Sequence, residues 1–162
     1  MTASSIPSRG RDILALIGQI LLVGLIAAAG RAINAEAIPG WYATLNRPPI
    51  TPPNWLFGPV WSALYLMMAV SAWMVWRRVG LGDPALIVYW LQLALNLLWT
   101  VLFFGLQSPL LAGVEIIVLV AAIALTIRGF AEIHRPAAWL LVPYLAWTSF
   151  AAVLTWWFWA IN

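Results

Sequence analysis

The sequence predicts an all-α polytopic membrane protein, a five transmembrane helix bundle, and three observations predict it. Hydrophobic residues make up 64% of the chain and charged residues 8%, against roughly a quarter charged in a soluble domain. Five apolar runs are close to, or longer than, the roughly 20 residues that a helix needs to cross a bilayer core. No segment shows the alternation of a membrane barrel, and lipid offers an exposed backbone no hydrogen bonds, so helices are the physical default.

The first span is expected over 13–33, behind an N-terminal tail, residues 1–12, that carries Arg9 and Arg11. Basic residues, an apolar stretch and Ala27-Ala28-Ala29 also fit a secretory signal. The run exceeds the 7 to 15 residues or so of a signal's apolar core, however, so the span is expected to be retained. Gly24, Ala28 and Ala32 form a small-residue ridge at four-residue spacing, read as general packing within the bundle rather than a dimer seam. The second span covers 55–76. The third (84–106), fourth (109–128) and fifth (136–161) open on Pro84, Pro109 and Pro136, each suited to a first helical turn, where the missing N–H costs nothing. Residues 13–162 therefore read as a single membrane domain.

Arginine sets the orientation. Arg9, Arg11, Arg77, Arg78, Arg128 and Arg135 fall on one side of the bundle, and only Arg31 and Arg47 on the other. The positive-inside rule then places the N-terminus in the cytoplasm, with the long first loop, the third loop and the C-terminus opposite. The net charge of +3 reads as topology and weak attraction to anionic lipid, with no nucleic-acid footprint. Cysteine is absent and there is one histidine, so no conventional catalytic constellation, thiolate metal site or disulfide can be assembled. That histidine, His134, is conceivable as an axial haem ligand, but its loop position reads as solvated.

Twelve tryptophans need sorting, because interfacial belts are the ordinary place for them. Trp73, Trp76, Trp90, Trp139, Trp156, Trp157 and Trp159 lie near span ends and suit the belt. Trp61, Trp99 and Trp147 lie deeper, where each indole N–H needs a partner. Gln92, Asn96, Trp99 and Phe103 recur at spacings of four, three and four, hence on one helix face, with Thr100 beside them. Tyr144, Trp147 and Ala151 form a second stripe. Such stripes suit either hydrogen-bonded helix packing or a ligand cavity lined by aromatics with a few polar anchors. Glu115, inside the fourth span, is expected to form an ion pair or to bond as a protonated acid to a neighbouring helix.

Three segments carry a resemblance: Trp41–Met68 with its tryptophans and prolines, the LxLxxNxxWT run Leu91–Thr100, and Val142-Pro143-Tyr144-Leu145-Ala146-Trp147. Together, in order and at matching spacing, they resemble the TspO/MBR family of tryptophan-rich sensory and translocator proteins, the peripheral benzodiazepine receptor family. The resemblance implies a multi-pass, five-helix bacterial membrane protein, often a homodimer, and the helical build argues for the inner membrane. It also implies a pocket that takes porphyrins such as protoporphyrin IX, sterols, and isoquinoline carboxamide or benzodiazepine-type molecules. Carried over by position, the ligand-binding residues are Trp41, Tyr42, Leu45, Pro52, Trp61, Asn96, Trp99, Thr100, Phe103, Trp147 and Ala151, with Pro48, Pro52 and Pro53 in a stiff lid.

Some bacterial members promote light-dependent porphyrin breakdown, which makes Trp41, Trp61 and Trp147 the photochemical candidates. Protoporphyrin IX would then be ligand or substrate rather than a resident cofactor. Arg47 and Arg31 are placed to meet its propionates, although lipid headgroups would occupy them equally well. The run Leu154–Ala160 lacks the tyrosine and base of the animal sterol pattern, which leaves tight sterol binding without support. The rival expectation is a transporter of tetrapyrroles or other amphiphiles, against which stands the lack of an internal repeat.

Overall fold

The computed structural model describes residues 9–162. Its elements are α1 (Arg9–Ala37), a single helical turn α2 (Trp41–Thr44), α3 (Asn54–Val79), α4 (Pro84–Thr100), α5 (Pro109–Ile133) and α6 (Arg135–Ile161). The five long helices are each apolar and long enough to cross a membrane, and no strand occurs among the described residues. This is the expected five-helix membrane bundle.

The helices outrun the apolar spans. α1 extends from the expected 13–33 to Arg9 and Ala37, because hydropathy marks where lipid begins while the backbone keeps bonding beyond it. Arg9–Asp12 of the expected tail are thus helical; the rest of that tail, residues 1–8, lies outside the described residues. At their arginine-rich ends α3 continues to Val79 and α5 to Ile133. Their starts follow local chemistry. Pro84, Pro109 and Pro136 all occupy first turns, while the Asp83 carboxylate accepts from Ala85 N–H at 2.9 Å and Ser108 Oγ from Leu111 N–H at 3.4 Å.

The third span is not one regular helix. After Thr100 the chain forms a π turn, Val101–Gly105, closed by Leu106 N–H donating to Val101 C=O at 2.8 Å. Such wide turns recur at functional sites.

Packing closes the bundle in the ring order α1, α3, α6, α5, α4. Met68, Ala69, Ala72 and Val75 of α3, Leu86, Tyr89 and Leu93 of α4, Ile116, Leu119 and Ile123 of α5, and Leu141 and Tyr144 of α6 fill the interior. α5 packs most intimately. A Cβ on Gly113 would stand 3.1 Å from the Trp156 indole and one on Gly129 3.2 Å from Ala85 Cβ, so both neighbouring helices press against its bare backbone.

α1 is the loosest member. Gly24, Ala28 and Ala32 are exposed, and a Cβ on Gly24 would meet nothing within 4 Å. The ridge expected to pack inside the bundle instead faces outward, because α1 turns Gln19 and Val23 toward its neighbours.

The arginine-rich end is tied by Asp12. Its carboxylate pairs with Arg77 at 3.0 Å and accepts from the Trp73 indole at 3.0 Å, while the Arg77 guanidinium lies 4.8 Å above the Trp73 ring. Trp73 and Trp156, both expected in the interfacial belt, therefore have partners within the protein. Trp139, Trp157 and Trp159 are exposed.

Candidate functional site

The candidate residues form two aromatic layers beneath the first loop. The outer layer starts with a tight exit from α1: a Cβ on Gly40 would stand 3.0 Å from Glu36 C=O, so glycine lets the chain turn directly into α2. That turn inserts Tyr42 into the end of the bundle, 5.4 Å from the Phe158 ring and 5.6 Å from Phe104. Trp41 meets Phe103 edge-on at 5.5 Å. Phe103 is the hub, stacked on Trp99 at 5.3 Å and 5.8 Å from Phe158. The π turn explains why the adjacent Phe103 and Phe104 both reach Trp99, at 5.3 and 6.1 Å: its wider pitch turns two consecutive rings toward one face.

The loop is held from both sides. Arg47 lies 4.9 Å over the Tyr42 ring and reaches Asn54 Oδ1 at 3.5 Å. Burial pushes the Tyr42 phenol above its ordinary pKa, the Arg47 cation pulling the other way, so the hydroxyl stays a neutral donor. Pro48 is buried, Leu45 and Pro52 are half-buried and Pro53 is exposed. The prolines remove N–H donors that the covering segment would otherwise have to satisfy. Asn46 N–H donates to Asn162 Oδ1 at 2.8 Å, and Asn162 Nδ2 donates back to Asn46 C=O at 3.1 Å.

The inner layer is more polar. Trp61 lies 5.5 Å from Tyr65 and 6.2 Å from Tyr144, and Tyr65 Oη donates to Asn96 Oδ1 at 2.8 Å. Tyr144 is fully buried beside the Trp61 ring. Within the interior of the bundle the hydroxyls of Tyr89 and Thr148, the Gln92 amide, the Trp99 indole N–H and both Glu115 oxygens are buried without a hydrogen-bond partner among the described residues. The ion pair or hydrogen bond expected for Glu115 is therefore not formed among the described residues, and Arg31, on the same side, is exposed.

The expected α4 face is inward: Gln92, Asn96 and Phe103 are buried and Trp99 half-buried. Thr100 is turned aside, its hydroxyl bonding back to Asn96 C=O at 3.4 Å and its methyl 3.9 Å from where a Gly30 Cβ would stand. On α6 the buried line runs through Tyr144, Thr148, Thr155 and Phe158, one residue round from the expected stripe. Trp147 and Ala151 of the expected stripe are half-buried against the core, Trp147 also packing on Phe57 and Phe150, both at 5.8 Å. Trp41, Trp61 and Trp147 thus belong to three separate ring groups.

Sequence reasoning missed Tyr65, Tyr89, Thr148 and Asn162. Tyr65, four residues after Trp61, had a usable spacing signal; Asn162 had none.

A cavity of about 350 Å³ opens at the loop end, lined by Trp41, Leu45, Gln107, Ser108, Pro109, Leu110, Trp159 and Asn162. Gln107 holds φ = 53°, a left-handed conformation that glycine adopts more readily. The volume is at the low end of the roughly 300–1,000 Å³ typical of small-molecule pockets. Below it the rings touch, so a large ligand requires the loop to lift. No cluster of three or more His, Asp or Glu able to hold a metal occurs among the described residues. His134 caps α5, its N–H on Phe130 C=O, and burial together with Arg78 holds its imidazole below the ordinary value.

Fold and site together define a multi-pass five-helix membrane protein whose polar, aromatic interior is covered by one proline-rich loop. The chain belongs to the TspO/MBR family, whose model matches residues 18–160. It is 41% identical over 152 residues to the tryptophan-rich protein TspO of Archaeoglobus fulgidus, covering 93% of this chain and 99% of that protein. It is 37% identical over 136 residues to the human translocator protein, covering 82% and 80%. To the tryptophan-rich sensory protein of Cereibacter sphaeroides it is 36% identical over 137 residues, covering 83% and 86%.

Proposed function

We propose that this protein is a membrane receptor for flat, conjugated, mostly apolar ligands carrying a few polar substituents, with protoporphyrin IX as the leading ligand. The observation that carries this reading is the inner layer, where Trp61 and Tyr144 rings flank the Tyr65–Asn96 hydrogen bond amid unpartnered polar atoms. Each buried polar group without a partner costs on the order of 1–3 kcal/mol. A ligand that brings donors and acceptors on an aromatic frame recovers part of that cost, whereas a purely apolar one does not. Rings favour stacking on a macrocycle, and Arg47 stands at the mouth for a carboxylate.

The same reading extends to isoquinoline carboxamide and benzodiazepine-type molecules, whose carbonyls suit Asn96 and the Trp99 N–H. Under light, an excited porphyrin against an indole would take an electron from it, or pass its energy to dioxygen, whose reactive form then oxidises macrocycle or indole, and Trp61, in the inner layer, is the best-placed partner. The arginine-rich end faces the cytoplasm of a bacterial inner membrane in this reading. The chain works as a homodimer, for which the outward ridge Gly24, Ala28 and Ala32 permits close approach.

The test is tryptophan-fluorescence titration with protoporphyrin IX, in darkness and then in light, using the wild type, Asn96→Ala and Trp147→Phe. Saturable quenching weakened most by Asn96→Ala is expected. Light-driven loss of the ligand would favour turnover over simple sensing or transport. Unsaturable quenching, identical in all three proteins, would overturn the porphyrin reading.

A further inference from the structure

At the opposite end of the bundle from the loop, a second cavity of about 380 Å³ is lined by Arg11, Leu14, Ala15, Gly18, Gln19, Trp76 and Leu81. It lies between the start of α1, the end of α3 and the turn into α4. We propose that it is a binding site for one anionic phospholipid of the leaflet bordering the arginine-rich end, distinct from the aromatic interior.

Three features of different kind converge there. Arg11 puts a cation at headgroup depth, where a phosphate lies. Its neighbour on the next residue, Asp12, is already engaged by Arg77 and Trp73, so the acid beside Arg11 is tied elsewhere and leaves that guanidinium for an outside anion. Gln19, eight residues further along α1, closes the inner end of the cavity with a buried side chain. A glycerophospholipid has its groups in the matching order: phosphate at Arg11, then glycerol esters, then acyl chains along the apolar wall.

The apolar part of the wall suits those chains. A Cβ built on Gly18 would meet nothing within 4 Å, so the groove between Leu14 and Trp76 stays open where any larger residue would fill it. Trp76 supplies the indole that membrane proteins place at the level of the esters. Charge selects the anionic lipid over a zwitterionic one, since Arg11 meets the phosphate without a competing headgroup ammonium.

The experiment uses the full chain in detergent, relipidated with phosphatidylglycerol or phosphatidylcholine and read by native mass spectrometry, with Gly18→Phe and Arg11→Gln as variants. Because Gly18 faces open space, Gly18→Phe plugs the groove without disturbing the fold, which circular dichroism and thermal denaturation confirm independently. The wild type is expected to retain one phosphatidylglycerol at collision energies that strip phosphatidylcholine. Gly18→Phe should lose the retained lipid, and Arg11→Gln should lose the preference between the two lipids. Equal retention of both lipids by the wild type overturns the proposal. So does unchanged phosphatidylglycerol retention in Gly18→Phe, or cross-linking from a photoreactive residue at Ala15 that captures the chain's own first residues instead of lipid.

Discussion

Asn162 at the end of α6 and Asn46 in the first loop exchange reciprocal hydrogen bonds, N–H to Oδ1 at 2.8 Å and Nδ2 to C=O at 3.1 Å, across 116 residues of sequence. The same Asn162 amide also donates to Phe158 C=O at 2.9 Å, and Phe158 carries the Tyr42 ring. One side chain therefore fixes the loop to the helix against which its aromatic anchor packs.

Asn162→Ala should release the loop without unfolding the bundle. Exposed hydrogen bonds of this kind contribute about 1 kcal/mol, which is roughly a fivefold rise in the open population. Hydrogen exchange across residues 41–53 should accelerate by about that factor, with exchange in α5 unchanged. Equal acceleration in both would mean that the contact stabilises the whole fold instead.

Phe103→Ala should be the most damaging single change in the outer layer. The ring touches Trp41, Tyr42, Trp99, Phe104 and Phe158, and truncating a buried phenylalanine costs about 3–5 kcal/mol. Detergent thermal denaturation should register the loss, and the Trp41 and Trp99 emission should shift red as water enters.

Tyr65 and Asn96 should be coupled. Asn96→Ala leaves the Tyr65 hydroxyl without its acceptor, whereas the pair Asn96→Ala with Tyr65→Phe removes both ends, so the double variant should be more stable than the sum of the singles predicts. Interhelical hydrogen bonds in membrane proteins average about 0.6 kcal/mol in such cycles. A coupling of zero in reversible denaturation would show that the 2.8 Å contact is energetically silent.

Two glycine substitutions should behave oppositely. Gly113→Ala drives a methyl to 3.1 Å from the Trp156 indole, whereas Gly24→Ala meets nothing within 4 Å. Overpacking costs about 1–3 kcal/mol, so the melting temperature should fall for the first. The second should stay level or rise, since alanine is the better helix former by up to about 1 kcal/mol.

Composition and hydropathy alone were enough to establish the all-α membrane bundle and the number of spans, because lipid leaves a chain no alternative way to satisfy its backbone. Prolines and their preceding Asp and Ser marked starts such as Pro84 and Pro109, since capping is local chemistry. Periodicity also found the inward face of α4, because Gln92, Asn96 and Phe103 are placed by helix pitch and by the cost of polar groups facing lipid. Only tertiary structure decided the rest. The ring order of helices buried Thr148 more deeply than Trp147 on α6, and turned Gly24, Ala28 and Ala32 outward. The π turn that brings Phe104 beside Phe103, and the bond from Asn46 to Asn162, arise from contacts between distant segments. Hydropathy records what each residue prefers to touch; which partner it touches depends on packing that no local window contains.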